Sequence, residues 1–167
     1  GNWLSLKDVR NVSVMQRRGN MRGYRNEWLT VAGKGKIGIE IGIGNHVGHA
    51  VDAPVMILKS SIGNRSLGWD LLPPGSERYE YKGKMYPGYR DEVRHSSWEK
   101  GNIPDPPGHG WYAGKQYDDD VANAKKIVAE IEKYYPGGKE VQVAGFFWWQ
   151  GDKDRYNEGH AQRYEQN

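Results

Sequence analysis

Two short apolar runs do most to constrain the fold of this chain: "APVMILKSS", residues 53–61, and "KEVQVAGFFWWQ", residues 139–150. Neither shows a clear alternation of apolar and polar positions. A strand of that kind has no face suited to water, so both runs predict strands buried on both sides, as in a parallel sheet. The segment "DDDVANAKKIVAEIEKYYPGG" lies between them. Val121, Ala124, Ile127, Val128, Ile131 and Tyr135 repeat there at helical spacing and predict one apolar helix face. Asp118 to Asp120 stand where carboxylates suit a helix N-terminus. Pro136 and Gly137 mark its end. Strand, helix and strand together predict an α/β sandwich with a parallel sheet between helices.

The rest of the chain is less regular. "VRNVSVM", residues 9–15, alternates and reads as a strand. "RRGNMRGYRN" reads as a polar loop, and "EWLTV" as a short strand or an extended arm. In "KIGIEIGIGNHVGHAVD" the isoleucines at 37, 39, 41 and 43 argue for a strand, whereas Val47, Ala50 and Val51 argue for a helix. Residues 73–117 show no periodicity and read as a long irregular insertion of the functional or mobile kind. "DRYNEGHAQRYEQN" reads as helical.

The 167 residues suit one domain, 1–167, with room for a real core. The net charge of +3 does not imply nucleic acid. Arg17, Arg18, Arg22 and Arg25 with Tyr24 fit a solvated loop, with a phosphate-binding patch as the alternative. There is no cysteine, so disulfides, thiol nucleophiles and Cys-based metal sites are excluded. No apolar run reaches transmembrane length and no signal peptide is found. The expected partners therefore include neither nucleic acid nor membrane. The 7 Trp and 11 Tyr against 2 Phe suit clefts and interfaces, sugar-binding ones among them. "NVS" at Asn11 and "NRS" at Asn64 match glycosylation sequons.

In parallel sheets ligand groups gather beyond the carboxyl ends of strands, here at "KSSIGNRS" and "QGDKD". "VMILKSSIGNRSLGWDLLPP" and "GFFWWQGDKDRY", with "KIGIEIG" upstream, resemble the sialate O-acetylesterase branch of the SGNH hydrolases. These are carbohydrate acetylesterases with a flavodoxin-like, three-layer α/β fold. The resemblance covers most of residues 3–167 apart from 76–116. It implies hydrolysis of acetyl or other short acyl esters, on carbohydrate or a small ester, by acyl transfer to serine. It implies no metal and no organic cofactor. Gly63 would offer a backbone N–H and Gln150 a side-chain amide to the oxyanion, and Asp152 would be the acid. Asn64, Trp69 and Trp149 would contact substrate. "GIEIG" stands where the family has "GPELG", which favours a helix over 39–51. A periplasmic or secreted bacterial location is the expectation.

The family's nucleophile motif "GQSN" and its "DxxH" motif do not occur in this sequence. Three explanations follow: an excerpt of a longer esterase lacking both ends of the fold, a relative with another role, or a rebuilt site. For a rebuilt site, Ser60, Ser61 and Ser66 are the candidate nucleophiles, and His46, His49 and His160 the candidate bases. The runner-up function is a non-catalytic carbohydrate-binding or self-assembling module, in which a truncated sheet would favour homo-oligomers. His46 and His49, spaced i, i+3, could share a metal but fit a surface pair better. Asp118 to Asp120 could hold a hard cation through oxygens, but the helix start explains them more simply. Trp69, Trp98, Trp111 and Tyr112 could form a sugar-stacking platform or acyl pocket, or could pin the irregular region to the core.

Overall fold

A computed structural model of the chain describes residues 5–17, 20–31, 37–106 and 110–167. They form two compact units. The first runs to Ser61 and adds Ala122–Ala144; the second is Ile62–Val121 with Gly145–Asn167.

The first unit is built on a three-stranded sheet of order β2-β1-β3. The alternating segment forms the central strand β1, Leu6–Arg17. β2, Asn20–Leu29, pairs with it antiparallel, from Leu6 opposite Leu29 to Arg17 opposite Asn20. β3, Val55–Ser60, pairs with it in parallel, Val9 opposite Val55 and Val14 opposite Ser60. The expected polar loop is thus mostly strand. Its polar residues lie on an edge strand with exposed positions, and the register shift between Ser13 and Val14 absorbs Tyr24 as an extra residue.

The two faces of β1 bury different groups. Helix α1, Ile39–Ala50, lies against Val9. Glycine makes that approach possible: a Cβ on Gly44 would come within 2.8 Å of Leu29 Cδ2, and one on Gly48 would collide with the Val9 side chain. The expected helix over 39–51 is therefore present, and its glycines are contact points. Val12 and Val14 face the other way and bury against Ile127, with Met21, Met56, Leu58 and Tyr134 around them. Ile127 belongs to helix α2, Lys115–Ala129, and Tyr134 to the single turn α3, Ile131–Tyr134. α2 passes from the second unit to the first between Val121 and Ala122. Arg10 Nε donates to the Tyr134 carbonyl at 2.9 Å and Asn26 Nδ2 to that of Lys133 at 3.1 Å, satisfying carbonyls that a helix end leaves open.

The second unit holds a small antiparallel sheet, β4 (Tyr79–Tyr81), β5 (Lys84–Tyr86) and β6 (Trp98–Glu99). The region expected to be irregular therefore contains a hairpin. Lys82 and Gly83 turn it with φ of 49° and 76°, as a two-residue hairpin of matching twist requires. Tyr79 stacks on Tyr86 at 4.7 Å. After Gly151 come a 3₁₀ turn, Asp154–Tyr156, and helix α4, Glu158–Arg163.

The expected parallel central sheet is overturned. The larger sheet has three strands and is mixed, the smaller is antiparallel, and four α-helices occur among the described residues. The second expected buried strand, 139–150, is not a strand. Residues 139–149 are exposed, have no regular secondary structure and make no backbone–backbone hydrogen bond among the described residues. Apolar composition made that segment suited to burial, but its residues stay exposed.

Candidate functional site

The second unit contains a network of buried polar groups centred on the loop that follows β3. Asp154 is its hub. Its carboxylate accepts from the backbone N–H of Leu67 at 2.9 Å and of Gly68 at 3.0 Å, and from Gln150 Nε2. Two successive backbone amides aimed at one carboxylate form a small anion nest. Gln150 Nε2 also donates to the Arg65 carbonyl at 2.9 Å, and the Tyr164 hydroxyl lies 2.7 Å from Gln150 Oε1. Asp70 holds the loop from its other end. It accepts from the Ser66 N–H at 3.0 Å and from Arg65 Nη1 at 2.9 Å. The Ser66 hydroxyl reaches the same carboxylate at 3.5 Å. The Arg65 guanidinium lies over the Trp111 ring at 4.6 Å.

His160 closes the network. It is buried, with Nδ1 3.8 Å from Asp154 Oδ1 and Nε2 3.4 Å from the Ser96 carbonyl. Burial pushes its pKa below the usual histidine value, outweighing the pull of the Asp154 carboxylate. Burial therefore favours the neutral ring. Gly68 backs onto the imidazole, where a Cβ would stand 2.6 Å from His160 Cγ. The Asn157 side chain caps α4 by accepting from the His160 N–H at 3.2 Å, and it also accepts from the Tyr86 hydroxyl at 3.1 Å.

The expected site residues divide into two groups. Gln150 and Ser66 meet in the network. Ser66 is buried against Asp70, and both hydrogens of the Gln150 amide point at protein acceptors. Gly63 and Asn64 lie just outside it and are exposed. The Gly63 N–H has no hydrogen-bond partner among the described residues, and no atom lies within 4 Å of where its Cβ would be. Asn64 adopts a left-handed backbone, φ 62°, which a short polar side chain tolerates. Ser61 is exposed. Asp152 is exposed and pairs with Arg155 at 3.0 Å. Trp149 is exposed, and the Trp69 carbonyl accepts from the Gly114 N–H.

The other candidates lie elsewhere. His46 and His49 sit on α1 in the first unit, with His49 Nδ1 2.7 Å from the Asn45 carbonyl. No group of three His, Cys, Asp or Glu able to hold a metal occurs among the described residues. Asp118 is in the first turn of α2 and accepts from the Tyr89 and Tyr112 hydroxyls, the latter at 2.7 Å. Burial would raise its carboxyl, but those hydroxyls and Arg90 outweigh it and hold the pKa below the usual range. Burial and Asp118 push Tyr112 up to about 12. Trp98 lies on β6 beneath Arg78. Arg17 and Arg18 fall wholly or in part outside the described residues; Arg22 is exposed on β2, and Arg25 approaches Glu40 at 4.0 Å.

Sequence reasoning missed Asp154 and Asp70. For Asp154 a signal existed: it stands four residues after Gln150, the spacing of one helical turn. No helix in the described residues is long and apolar enough to cross a membrane. Comparison with family models, curated proteins and solved structures finds no match to this chain.

Proposed function

We propose that this chain carries the oxyanion-binding loop of a short-acyl ester hydrolase acting on acylated carbohydrate or small esters. The observation that supports this reading is the contrast within one loop. Leu67, Gly68 and Ser66 have their amides fastened by Asp154 and Asp70, while the Gly63 amide, three residues upstream of Ser66, is unpartnered and unobstructed. An open N–H donor next to a held loop is available to a developing oxyanion without first breaking a bond within the protein. In this reading Gln150 and Asp154 position the loop. A direct role for the Gln150 amide would require it to release Arg65 or Asp154. No metal or organic cofactor enters the reading.

The test is hydrolysis of p-nitrophenyl acetate by the whole chain, with two substitutions at one position. Gly63→Pro removes the N–H and should cost about 10²–10³ in rate. Gly63→Ala keeps the N–H and meets no neighbour, so it should stay close to the parent rate. Equal rates in all three proteins would reject the reading. A Ser61→Ala/Ser66→Ala double variant separates an internal nucleophile from background turnover.

A second reading is a carbohydrate-binding module without catalysis. It is favoured by the surroundings of Ser66 and His160: the Ser66 hydroxyl reaches the Asp70 carboxylate, and the His160 ring nitrogens face Asp154 and the Ser96 carbonyl. Folded parent protein that lacks turnover but binds sugars in calorimetry would support it.

A further inference from the structure

We propose that the cleft between residues 73–77 and the end of α4 binds a small zwitterion of the α-amino-acid class, with its carboxylate on Arg163 and its ammonium on Glu77. The proposal does not rest on the ester-hydrolase reading. Both walls of the cleft belong to the second unit. Its volume is about 460 Å³, within the ~300–1,000 Å³ usual for small-molecule sites.

The sequence builds each wall as a closed turn. "PPGS", residues 73–76, has proline and glycine in its two central positions. Gly75 takes φ 89°, and the Ser76 N–H donates to the Pro73 carbonyl at 3.2 Å. The Ser76 carbonyl accepts from the Tyr89 N–H at 2.8 Å, which ties the turn to the rest of the unit. On the other wall the Arg163 carbonyl accepts from the N–H groups of Gln166 and Asn167 at 3.0 and 3.1 Å. The backbone on both sides is therefore set before a ligand arrives, which lowers the cost of binding one.

Charge selects the ligand. Arg163 is half-buried, and its guanidinium lies 4.6 Å from the centre of the Tyr79 ring. Tyr79 is itself held, stacked on Tyr86 and donating from its hydroxyl to the Gly159 carbonyl at 2.9 Å. Burial raises the Tyr79 hydroxyl far above its ordinary pKa, so the ring stays neutral and offers Arg163 only its π face. Arg163 makes no ion pair among the described residues, and its buried Nε has no acceptor. A guanidinium held in this way presents a fork suited to a carboxylate. The Asn167 side-chain nitrogen at the same cleft is also buried without an acceptor. Glu77 lines the cleft as well, is exposed, and makes no ion pair or hydrogen bond among the described residues. Two opposite charges thus share one cleft without pairing with each other. A ligand of one sign would be attracted by one of them and repelled by the other. A carboxylate and an ammonium on the same small molecule complement both.

Titration calorimetry of the whole chain tests this with L-alanine, L-glutamine and L-phenylalanine, each beside its N-acetyl and its amide derivative. Acetylation removes the ammonium, and amidation removes the carboxylate. The expected result is that at least one of the three amino acids binds, and that both of its derivatives bind about tenfold or more weakly. Glu77→Gln, at an exposed position, should leave Tm unchanged and erase the preference over the N-acetyl form. Arg163→Lys should weaken binding less than Arg163→Gln, because it keeps the charge and loses only the fork. Three results would overturn the proposal: no binding of any of the three at millimolar concentration, equal binding of an amino acid and both its derivatives, or parental affinity in both Glu77→Gln and Arg163→Gln.

Discussion

Asp154→Ala is expected to destabilise the second unit by about 3–5 kcal/mol, the cost of breaking a buried charged network by removing one member. The carboxylate is fully buried and serves three donors at once. Its removal leaves the Leu67 and Gly68 amides and one Gln150 hydrogen without an acceptor in a place water does not reach. Each orphaned donor carries a desolvation cost of about 1–3 kcal/mol. Asp154→Asn keeps the shape and one acceptor oxygen, so it should fall between parent and alanine. Asp152→Ala, only two residues away, removes an exposed carboxylate and should change stability by no more than ~0.5 kcal/mol. Urea unfolding of the three variants checks the order. Equal midpoints for Asp152→Ala and Asp154→Ala would show that Asp154 is not the hub.

Gly159→Ala should also destabilise, against the usual sign for a helix. Inside a helix, alanine normally gains about 1 kcal/mol over glycine. Here α4 lies against the Tyr86 ring, and a Cβ on Gly159 would overlap Tyr86 Cζ and Oη. The ring has little room to move aside. It stacks on Tyr79, edges against His160 at 5.5 Å and bonds Asn157. Overpacking a fixed ring costs about 1–3 kcal/mol, enough to cancel or exceed the propensity gain, and Gly159→Val should cost more. Thermal unfolding of both variants measures this. A Tm rise in Gly159→Ala would mean that α4 stands off the hairpin.

The elements that were legible in the sequence are those whose pattern agrees with a partner. β1 alternates, and both of its faces are covered, by α1 through Val9 and by Ile127 through Val12 and Val14. α2 was legible because Ile127 and its neighbours fall at helical spacing. Composition misled where it was read without partners. Residues 139–150 look buried, but burial depends on what lies alongside, and a run of apolar letters does not contain that information. The hairpin β4–β5 was hidden for the opposite reason. Its strands are three residues long, carry Tyr, Glu, Lys and Met, and announce themselves only through Lys82–Gly83.

Two segments singled out in the sequence meet in the polar network, though the parallel strands expected to carry them there are not both present. The segments "KSSIGNRS" and "QGDKD" do supply the network, through Arg65, Ser66, Gln150 and Asp154. The resemblance drew attention to Asp152, the residue next to the glycine. The chain turns at Gly151, with φ 135°, and carries Asp152 to the surface and Asp154 inward. That choice between two aspartates depends on the turn geometry after Gly151. Asp70 was invisible because its partners, Ser66 and Arg65, are its own near neighbours in a loop without periodicity.

Amide hydrogen exchange on the whole chain tests the central claim most directly, which is that one loop holds fastened amides beside an open one. The account predicts that Leu67 and Gly68 exchange slowly, that Asp154→Ala releases both, and that Gly63 exchanges at the rate of an open loop throughout. Fast exchange at Leu67 and Gly68 in the parent, or protection at Gly63, would contradict it.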